Sequence, residues 1–318
     1  MSARSRFLAV SGAALGSILA PRSLRAQAVT TIRLGATPSD DMTPIVYAQH
    51  AGIFQKHGLD VQVTRLANGA AGAQGLVGGA FDFAKASVTT ILSGHEKGIP
   101  FSIVAEAVVN DSKNPYVALV VLKDSPIQGN GKDLDGQLIG VPAIADIGSI
   151  ALNIYLEKRG SSAKNVKFVE VPFPAAGAAV EAGRVVAAEI SQPNLQVAMD
   201  RGKLRAIPGI MDAIAPTYLE VAWCTTTDFS SKHADVVRAF VRAFGESVTY
   251  TSTHHEETAP LMAEFTGIPL ATIQRISRAL AWPSVVPGHI QPVIEATVKF
   301  GAITKNFPAA EIIDPNAR

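Results

Sequence analysis

Short apolar runs alternate with segments of helical period along most of the chain, and the clearest example spans residues 31–66. Apolar and polar residues alternate over 32–36, which predicts a strand. Pro44 then falls in the first turn of a helix, and Gly58 suits its C-terminal end. A second alternating run follows at once over residues 59–63. A strand, a helix and a strand in so few residues predict a parallel, right-handed βαβ unit.

The same order of elements begins again near residue 134, which predicts two similar lobes of fold class α/β. Each lobe is expected to hold a mainly parallel sheet flanked by helices, with a cleft between the lobes. Residues 29–122 are assigned to lobe 1 and residues 123–218 to lobe 2. The return strand and C-terminal helices of 219–318 complete lobe 1. The crossings near 122–126 and 216–222 are expected to act as a hinge.

The first 28 residues have the pattern of a targeting segment. Arg4 and Arg6 form a positively charged start, residues 7–20 are apolar, and residues 26–28 read Ala-Gln-Ala, a small-x-small cleavage site. We therefore predict export to the periplasm with cleavage after about Ala28, by the Sec or the Tat route.

Composition excludes several classes of partner and site. The formal net charge is +1, but residues 1–28 carry four arginines and no acid, which leaves 24 basic against 27 acidic residues, a net charge of −3. No basic block remains, so nucleic acid is not an expected partner. Cys224 is the single cysteine, so no disulfide within the chain and no cysteine-based metal site is expected.

The turns that follow the predicted strands carry the candidate chemistry, because open α/β sheets bind ligands at the carboxyl ends of their strands. These turns are rich in Gly, Ser, Thr and Asn and cover residues 37–42, 67–70, 86–89, 110–115, 143–149 and 191–194. Helices starting near Asp40 and Ser149 could face each other across the cleft. A helix N-terminus presents free N–H groups and a positive dipole end, which suits a carboxylate, sulfonate or nitrate.

Several short motifs in residues 31–66 resemble those of a known family. They are Leu34-Gly35, Pro38-Ser39, Tyr47-Ala48, Gly52-Ile53-Phe54 and Gly58-Leu59-Asp60-Val61. This pattern resembles the opening of the SsuA/THI5-like (NMT1-type) solute-binding proteins, the periplasmic receptors of nitrate-, sulfonate- and taurine-type ABC transporters. The resemblance covers most of residues 31–225.

The resemblance implies a two-lobed periplasmic-binding-protein fold (type II-like) and no cofactor. It implies a small-molecule ligand and an inner-membrane ABC permease as partners of a monomeric receptor. The family's pocket residues are carried over to Pro38, Ser39, Asn68, Ser87, Gly148, Ser149 and Pro193. Together with neighbouring turn residues, the full set of ligand-binding candidates is Thr37, Pro38, Ser39, Asp40, Asp41, Asn68, Gly69, Ser87, Val88, Asn114, Asp146, Gly148, Ser149, Gln192, Pro193, Asn194 and Trp223.

Each candidate also has a purely structural interpretation. Ser39 and Ser149 could be helix caps, Gly148 could relieve a tight turn, and Asn68 could stabilise its own turn. Trp223 could be an aromatic wall of the cleft or a core residue.

The acids Asp40, Asp41 and Asp146 could satisfy helix dipoles, or they could line the pocket. As pocket residues they would repel an anion and favour a ligand with hydrogen-bond donors or a positive charge. Asp41 stands where pyrimidine-precursor-binding relatives carry an Asn, which puts a simple sulfonate or nitrate ligand in doubt. Organic molecules therefore rank above nitrate, and the ligand's identity stays open.

Motifs for catalysis are absent from the sequence. The seven histidines show no metal-binding spacing, and neither a G-x-S-x-G elbow nor a phosphate-binding G-x-x-x-x-G-K-[ST] loop occurs. The expected function is therefore a substrate-binding protein rather than an enzyme. Two alternatives stay open: an enzyme on the same fold, similar to the pyrimidine-precursor synthases, and a ligand sensor for a membrane receptor.

Overall fold

The computed structural model describes residues 29–66 and 68–317. The predicted targeting segment, residues 1–28, lies outside the described residues. The described strands form two five-stranded sheets. They are β1 (Thr30–Ala36), β2 (Leu59–Arg65), β3 (Phe83–Ser87), β4 (Phe101–Asp111), β5 (Val117–Leu122), β6 (Leu138–Val141), β7 (Lys167–Glu170), β8 (Ala187–Ser191), β9 (Leu204–Ile207) and β10 (Thr217–Thr226).

Helices connect most strands and complete the C-terminal region. They are α1 (Thr43–His50), α2 (Ile53–Lys56), α3 (Gly69–Val77), α4 (Val88–Glu96), α5 (Ile147–Lys158), α6 (Phe173–Glu181), α7 (Asn194–Asp200), α8 (Thr227–Lys232), α9 (Ala234–Thr251), α10 (His255–Thr266), α11 (Leu270–Ile273) and α12 (Pro287–Lys299). Short 3₁₀ helices include Asp40–Met42, just before α1. None of the helices described here is long and apolar enough to cross a membrane.

The first sheet has the strand order β2-β1-β3-β10-β4. Strand β1 pairs in parallel with β2 and β3, as the βαβ pattern predicts. Strand β10 returns late in the chain and pairs antiparallel with both β3 and β4. The second sheet, β7-β6-β8-β5-β9, has the same plan: β6 pairs in parallel with its two neighbours, and β5 pairs antiparallel with β8 and β9.

Strand β5 lies in a different sheet from the one expected. The sequence analysis placed residues 116–122 at the end of lobe 1, but Val117–Val121 pair with β8 of the second sheet. The chain therefore crosses between the sheets over 112–116 and returns over 208–216, before the ranges expected for a hinge. The two crossings run side by side, since the Ser112 N–H donates to the Pro216 carbonyl over 3.0 Å.

Two predicted helices are shorter than expected. The helix expected to run up to Gly58 divides into α1 and α2, because Gly52 adopts a left-handed conformation with φ of 71°. The apolar period of residues 271–281 predicts a second such helix, but this helix ends after Ile273. Beyond it the backbone bonds to strand β4, where the Val109 N–H donates to the Leu280 carbonyl over 2.7 Å.

The apolar core lies on both faces of the first sheet and extends to the second. One cluster packs α1 and α9 against the first sheet and includes Phe54, Phe83 and Phe240. A second continuous cluster joins α4 and α12 of the first sheet to α5 of the second. The two units are therefore in contact in this structure, and the polar strand ends described below meet beside that contact.

Candidate functional site

A buried lysine organises the polar turn after β1. Lys85, on β3, is 3% exposed and donates to Asp41 Oδ1 over 2.7 Å and to Ser39 Oγ over 2.7 Å. It also donates to the Thr37 carbonyl over 3.1 Å. Ser39 Oγ in turn donates to Asp41 Oδ1 over 2.6 Å. Ser39 forms no side-chain cap for the following 3₁₀ helix, because its hydroxyl is used in this network.

Asp40 faces a different partner from its neighbour Asp41. Its carboxylate accepts hydrogen bonds from Arg278 Nε over 2.7 Å and from the Ala279 N–H over 2.8 Å. Arg278 Nη2 also donates to Thr43 Oγ1 over 2.8 Å. This fully buried pair fixes the start of α1 against the C-terminal region, so Asp40 has a structural role.

Asp146 joins the two units. It is the N-cap of α5, and its Oδ1 accepts from the Ile147 N–H over 2.7 Å. The same oxygen accepts from Ser87 Oγ over 2.6 Å and from Thr89 Oγ1 over 3.1 Å. Ser87 ends β3 and Thr89 lies in α4, so these hydrogen bonds run from the first unit to the second.

Glu189 lies on β8 against the first turn of α5. Its side chain is buried, and Oε2 has no hydrogen-bond partner among the described residues. A Cβ atom added at Gly148 would lie 1.9 Å from that oxygen, so the glycine makes room for the carboxyl group. Burial raises the pKa of Glu189 well above its ordinary value, and the charges of Asp146 and Glu220 raise it further.

Glu220 is a second buried carboxyl without a partner. It lies on β10 next to Val221, which pairs with Ser87 at the end of β3. Its Oε2 accepts no hydrogen bond from the part of the chain that the structure describes. Burial raises the pKa of Glu220 to about 8, with smaller contributions from Asp146 and Asp41. We call Asp41, Asp146, Glu189 and Glu220 the acidic cluster.

Lys85, Glu189 and Glu220 were missed by the sequence analysis, although each leaves a signal. Each is the single charged residue within a short apolar strand segment, FAKAS, AAEIS and LEVAW. A lone charge in such a run marks a buried ionisable group, which is rare unless it is paired or functional. The pattern does not reveal which groups each of the three faces.

The remaining candidates stabilise the turns that surround the cluster. Asn68 is exposed and caps α3 by accepting from the Ala71 N–H over 3.0 Å, and Gly69 packs its backbone against β3. Asn114 Nδ2 donates to the Arg278 carbonyl over 2.8 Å. Ser149 Oγ donates to the Asp146 carbonyl over 2.8 Å, so Asp146 rather than Ser149 caps α5.

The candidate residues in the turn after β8 also make contacts within their own turn. The Gln192 side chain accepts from the Gln196 N–H in the first turn of α7, over 3.2 Å. Pro193 is buried, and Asn194 is the first residue of that helix. Pro38 is exposed at the tip of its turn. None of these contacts settles a ligand role, so for these residues that role stays a prediction.

Val88 and Trp223 belong to the core instead of a pocket wall. Both are 0% exposed. The Trp223 ring packs edge-to-face on Phe240 and Phe244, because α9 covers that face of the first sheet. The interpretation of Trp223 as an aromatic wall of the cleft is therefore replaced by core packing.

The acidic cluster predicts a pH-dependent stability for the ligand-free protein. The unfolded chain releases the Glu220 proton near pH 4.5, whereas the folded state holds it up to about pH 8. Between these values the folded state binds more protons, so the free energy of unfolding falls as pH rises, by about 1.4 kcal/mol per pH unit. Denaturant unfolding across this window measures the slope. Glu220→Gln should make the slope shallower by the contribution of this one group, while Glu189 keeps its own contribution, and an unchanged slope in that variant would contradict the assignment.

No group of three or more His, Cys, Asp or Glu side chains in residues 29–66 and 68–317 is arranged to hold a metal ion.

Comparison with known sequences identifies one family. A model described as NMT1/THI5 like matches residues 39–258, more than half of the 318-residue chain. The search of curated protein sequences returned no match.

Solved structures share the fold at low sequence identity. The periplasmic aliphatic sulphonate-binding protein SsuA from Escherichia coli is 16% identical, with a TM-score of 0.73, over 91% of this chain and 98% of that chain. The periplasmic nitrate-binding protein NrtA from Synechocystis PCC 6803 is 16% identical, with a TM-score of 0.74, over 91% of this chain and 86% of that chain.

A zinc-bound ligand-binding component of an ABC-type import system from Staphylococcus aureus is 14% identical, with a TM-score of 0.76, over 91% of this chain and 97% of that chain. These likenesses confirm the expected two-lobed periplasmic-binding-protein fold.

Proposed function

The chain belongs to the NMT1/THI5-like family, and from that premise we propose that it is the exported substrate-binding component of an ABC-type importer. It closes on a small organic molecule between its two lobes and delivers it to a membrane permease. The structural neighbours SsuA and NrtA are periplasmic binding proteins, which supports the proposal.

The observation that carries this proposal is the meeting of the two units at Asp146. Ser87 and Thr89 of the first unit donate to this single carboxylate of the second. Beside it lie the buried carboxyls of Glu189 and Glu220, whose Oε2 atoms have no partner among the described residues. A ligand that binds these groups touches both units, so it favours the closed arrangement over the open one.

In this proposal, the crossings at 112–116 and 208–216 act as the hinge between the two lobes. They are the two backbone connections between the sheets in the described part of the chain, and they run side by side. Two neighbouring connections allow one lobe to rotate against the other while each sheet stays intact. The lobes are then residues 29–111 with 217–318, and residues 117–207.

Small-angle X-ray scattering tests ligand-driven closure. The protein is unfolded, dialysed to remove any retained molecule and refolded, and a small-molecule extract of the producing cells is then added back. We expect the radius of gyration to fall on addition of the extract, because closure brings the lobes together. A radius that stays constant while mass spectrometry confirms a bound molecule would contradict the proposal.

The control for this experiment is a cross-linked form that cannot open. We expect its radius of gyration to stay constant when the extract is added, whether or not a molecule from the extract binds. Mass analysis of the extract before and after incubation separates binding from catalysis, since a binding protein returns its ligand unchanged and an enzyme on this fold does not. Uptake assays with and without the permease separate transport from sensing.

A further inference from the structure

Acidic groups outnumber basic groups around the cleft. Five carboxyl groups lie there: Asp40 and the four members of the acidic cluster. Two cations face them, and each already has a carboxylate partner, since Lys85 binds Asp41 and Arg278 binds Asp40. Asp146, Glu189 and Glu220 have no cationic partner among the described residues. The described part of the cleft therefore has an excess of three acids.

Two of these acids are orphaned as well as buried. Glu189 is 2% exposed and Glu220 is 7% exposed, and neither Oε2 atom has a hydrogen-bond partner among residues 29–66 and 68–317. An unpaired buried polar group is costly, so folded proteins rarely keep one without a reason. Each of the two groups lacks a donor, and a donor is what a ligand could supply.

The place where an anion would be expected is taken by the chain's own acids. The sequence analysis gave the helix start near Ser149, now the N-terminus of α5, as a candidate cradle for an oxyanion. Asp146 caps that terminus by accepting from the Ile147 N–H, and the Glu189 carboxyl lies against Gly148 in the same turn. A sulfonate, nitrate or carboxylate would meet two carboxyl groups there.

We propose, on the basis of the function proposed above, that the ligand of this cleft is a small organic cation with N–H donors: an ammonium, amidinium or guanidinium compound. Its charged nitrogen binds Glu220 and Glu189, where it supplies the missing hydrogen-bond donors. Asp146 contributes to the attraction from the second unit. The cation thus balances the charge that Glu220 and Glu189 carry once their protons leave, and its binding favours closure.

Binding exchanges a proton for a cation. In the empty cleft the high pKa of Glu220, about 8, keeps its carboxyl protonated at neutral pH. The groups facing it are Asp146 on α5, Glu189 on β8, Asp41 beside Lys85, and the phenols of Tyr116 and Tyr218, whose pKa values are raised by burial and further by the Glu220 charge. An aliphatic ammonium stays charged well above pH 8. Affinity for the cation should therefore rise with pH, by about tenfold per pH unit for each proton released.

Isothermal titration calorimetry of the mature protein, with pairs of probes matched in shape and opposite in charge, tests the ligand class. The pairs are benzamidine with benzoate, 1,4-diaminobutane with succinate, and methylammonium with nitrate; agmatine is added as a longer cation. We expect at least one cation to bind, with no binding of its matched anion. We also expect the affinity of that cation to increase about tenfold per unit between pH 6 and pH 8.

Two variants assign the binding to the orphaned acids. Glu220→Gln keeps the shape of the side chain but cannot ionise, so it should weaken cation binding at least about tenfold at pH 8 and reduce the pH dependence to the part that Glu189 contributes. Glu189→Gln should weaken binding in the same direction. Glu157→Gln changes an exposed glutamate on α5 that pairs with Lys299, and it serves as the matched control with wild-type binding. A cation that binds both cluster variants as tightly as wild type would overturn the assignment.

The outcomes separate this inference from the function on which it rests. Binding of an anion without its matched cation overturns the ligand class, while ligand-driven compaction in scattering still supports the receptor function. Displacement of a bound amine by Zn²⁺ or Mg²⁺ at the cluster overturns an organic cation in favour of a metal ion. Failure of every cation probe also overturns the inference, and the scattering experiment with cell extract then decides the receptor function independently.

Discussion

Replacing Arg278 with methionine is expected to lower the free energy of unfolding by about 3–5 kcal/mol. The guanidinium is 7% exposed and binds Asp40, which is 1% exposed. Methionine fills much of the same volume but leaves the Asp40 carboxylate buried without its cation. It also removes the hydrogen bond to Thr43 Oγ1, so the start of α1 loses its connection to the C-terminal region.

Arg275→Met is the matched control for this variant. Arg275 lies three residues earlier and also pairs with an aspartate, Asp200, over 2.7 Å, but its side chain is 55% exposed. An exposed ion pair contributes about 0–1 kcal/mol, so this variant should unfold almost like wild type. Urea denaturation of both variants gives the comparison. Equal losses for Arg278→Met and Arg275→Met would show that burial does not decide the strength of these pairs.

Gly148→Ala is expected to lower the free energy of unfolding by about 1–3 kcal/mol, and to reduce the amount of ligand that the protein retains. The new Cβ atom would lie 1.9 Å from Glu189 Oε2, so the carboxyl group or the first turn of α5 must move. Because Asp146 begins the same turn, this movement also disturbs the hydrogen bonds from Ser87 and Thr89.

Gly288→Ala provides the control for a glycine in the first turn of a helix. A Cβ atom added at Gly288, in α12, has no heavy atom within 4 Å, so this variant should be neutral or up to about 1 kcal/mol more stable. Combining Gly148→Ala with Glu189→Ala should restore much of the lost stability, because the colliding carboxyl group is gone. Additive losses in the double variant would show that Glu189 is not the group that requires a glycine at position 148.

The periodicity of the sequence was sufficient to predict most helices and strands and the polar edge of the sheet. The alternation in residues 32–36 predicted β1, and the turn at 143–149 predicted Asp146 as a candidate. Local rules work there because the strand and the N-cap are decided by neighbouring residues. The likeness to solved structures confirmed the two-lobed fold.

Pairing between distant segments could not be predicted in this way. The run 117–122 has the same apolar pattern whichever sheet it joins, so its place beside β8 depends on tertiary contacts. Asp40 and Arg278 are 238 residues apart in the chain, and no local pattern connects them. The apolar period of 271–281 suggested a helix, but the backbone there bonds to β4 instead.

Local patterns in the sequence also do not predict how the acidic cluster of the site is assembled. Asp41 and Asp146 were candidates because they follow strands, at the edge where ligands bind. Glu189 and Glu220 lie inside strands, where a single charged residue indicates that its side chain is buried but not which groups that side chain faces. Their common position depends on β8 and β10 reaching the cleft from different sheets, and this geometry changes the expected charge of the ligand.

Native mass spectrometry of the mature protein, purified without denaturation, tests the central claim most directly. Closure buries the ligand, so a receptor of this kind should retain it through purification. We expect one small organic adduct per chain, identified after release as a compound with a protonatable nitrogen, and loss of that adduct in Glu220→Gln. A sulfonate, nitrate or other anion in its place would contradict the proposed cationic ligand, and a protein that never carries a small molecule, even from cell extract, would contradict the receptor function itself.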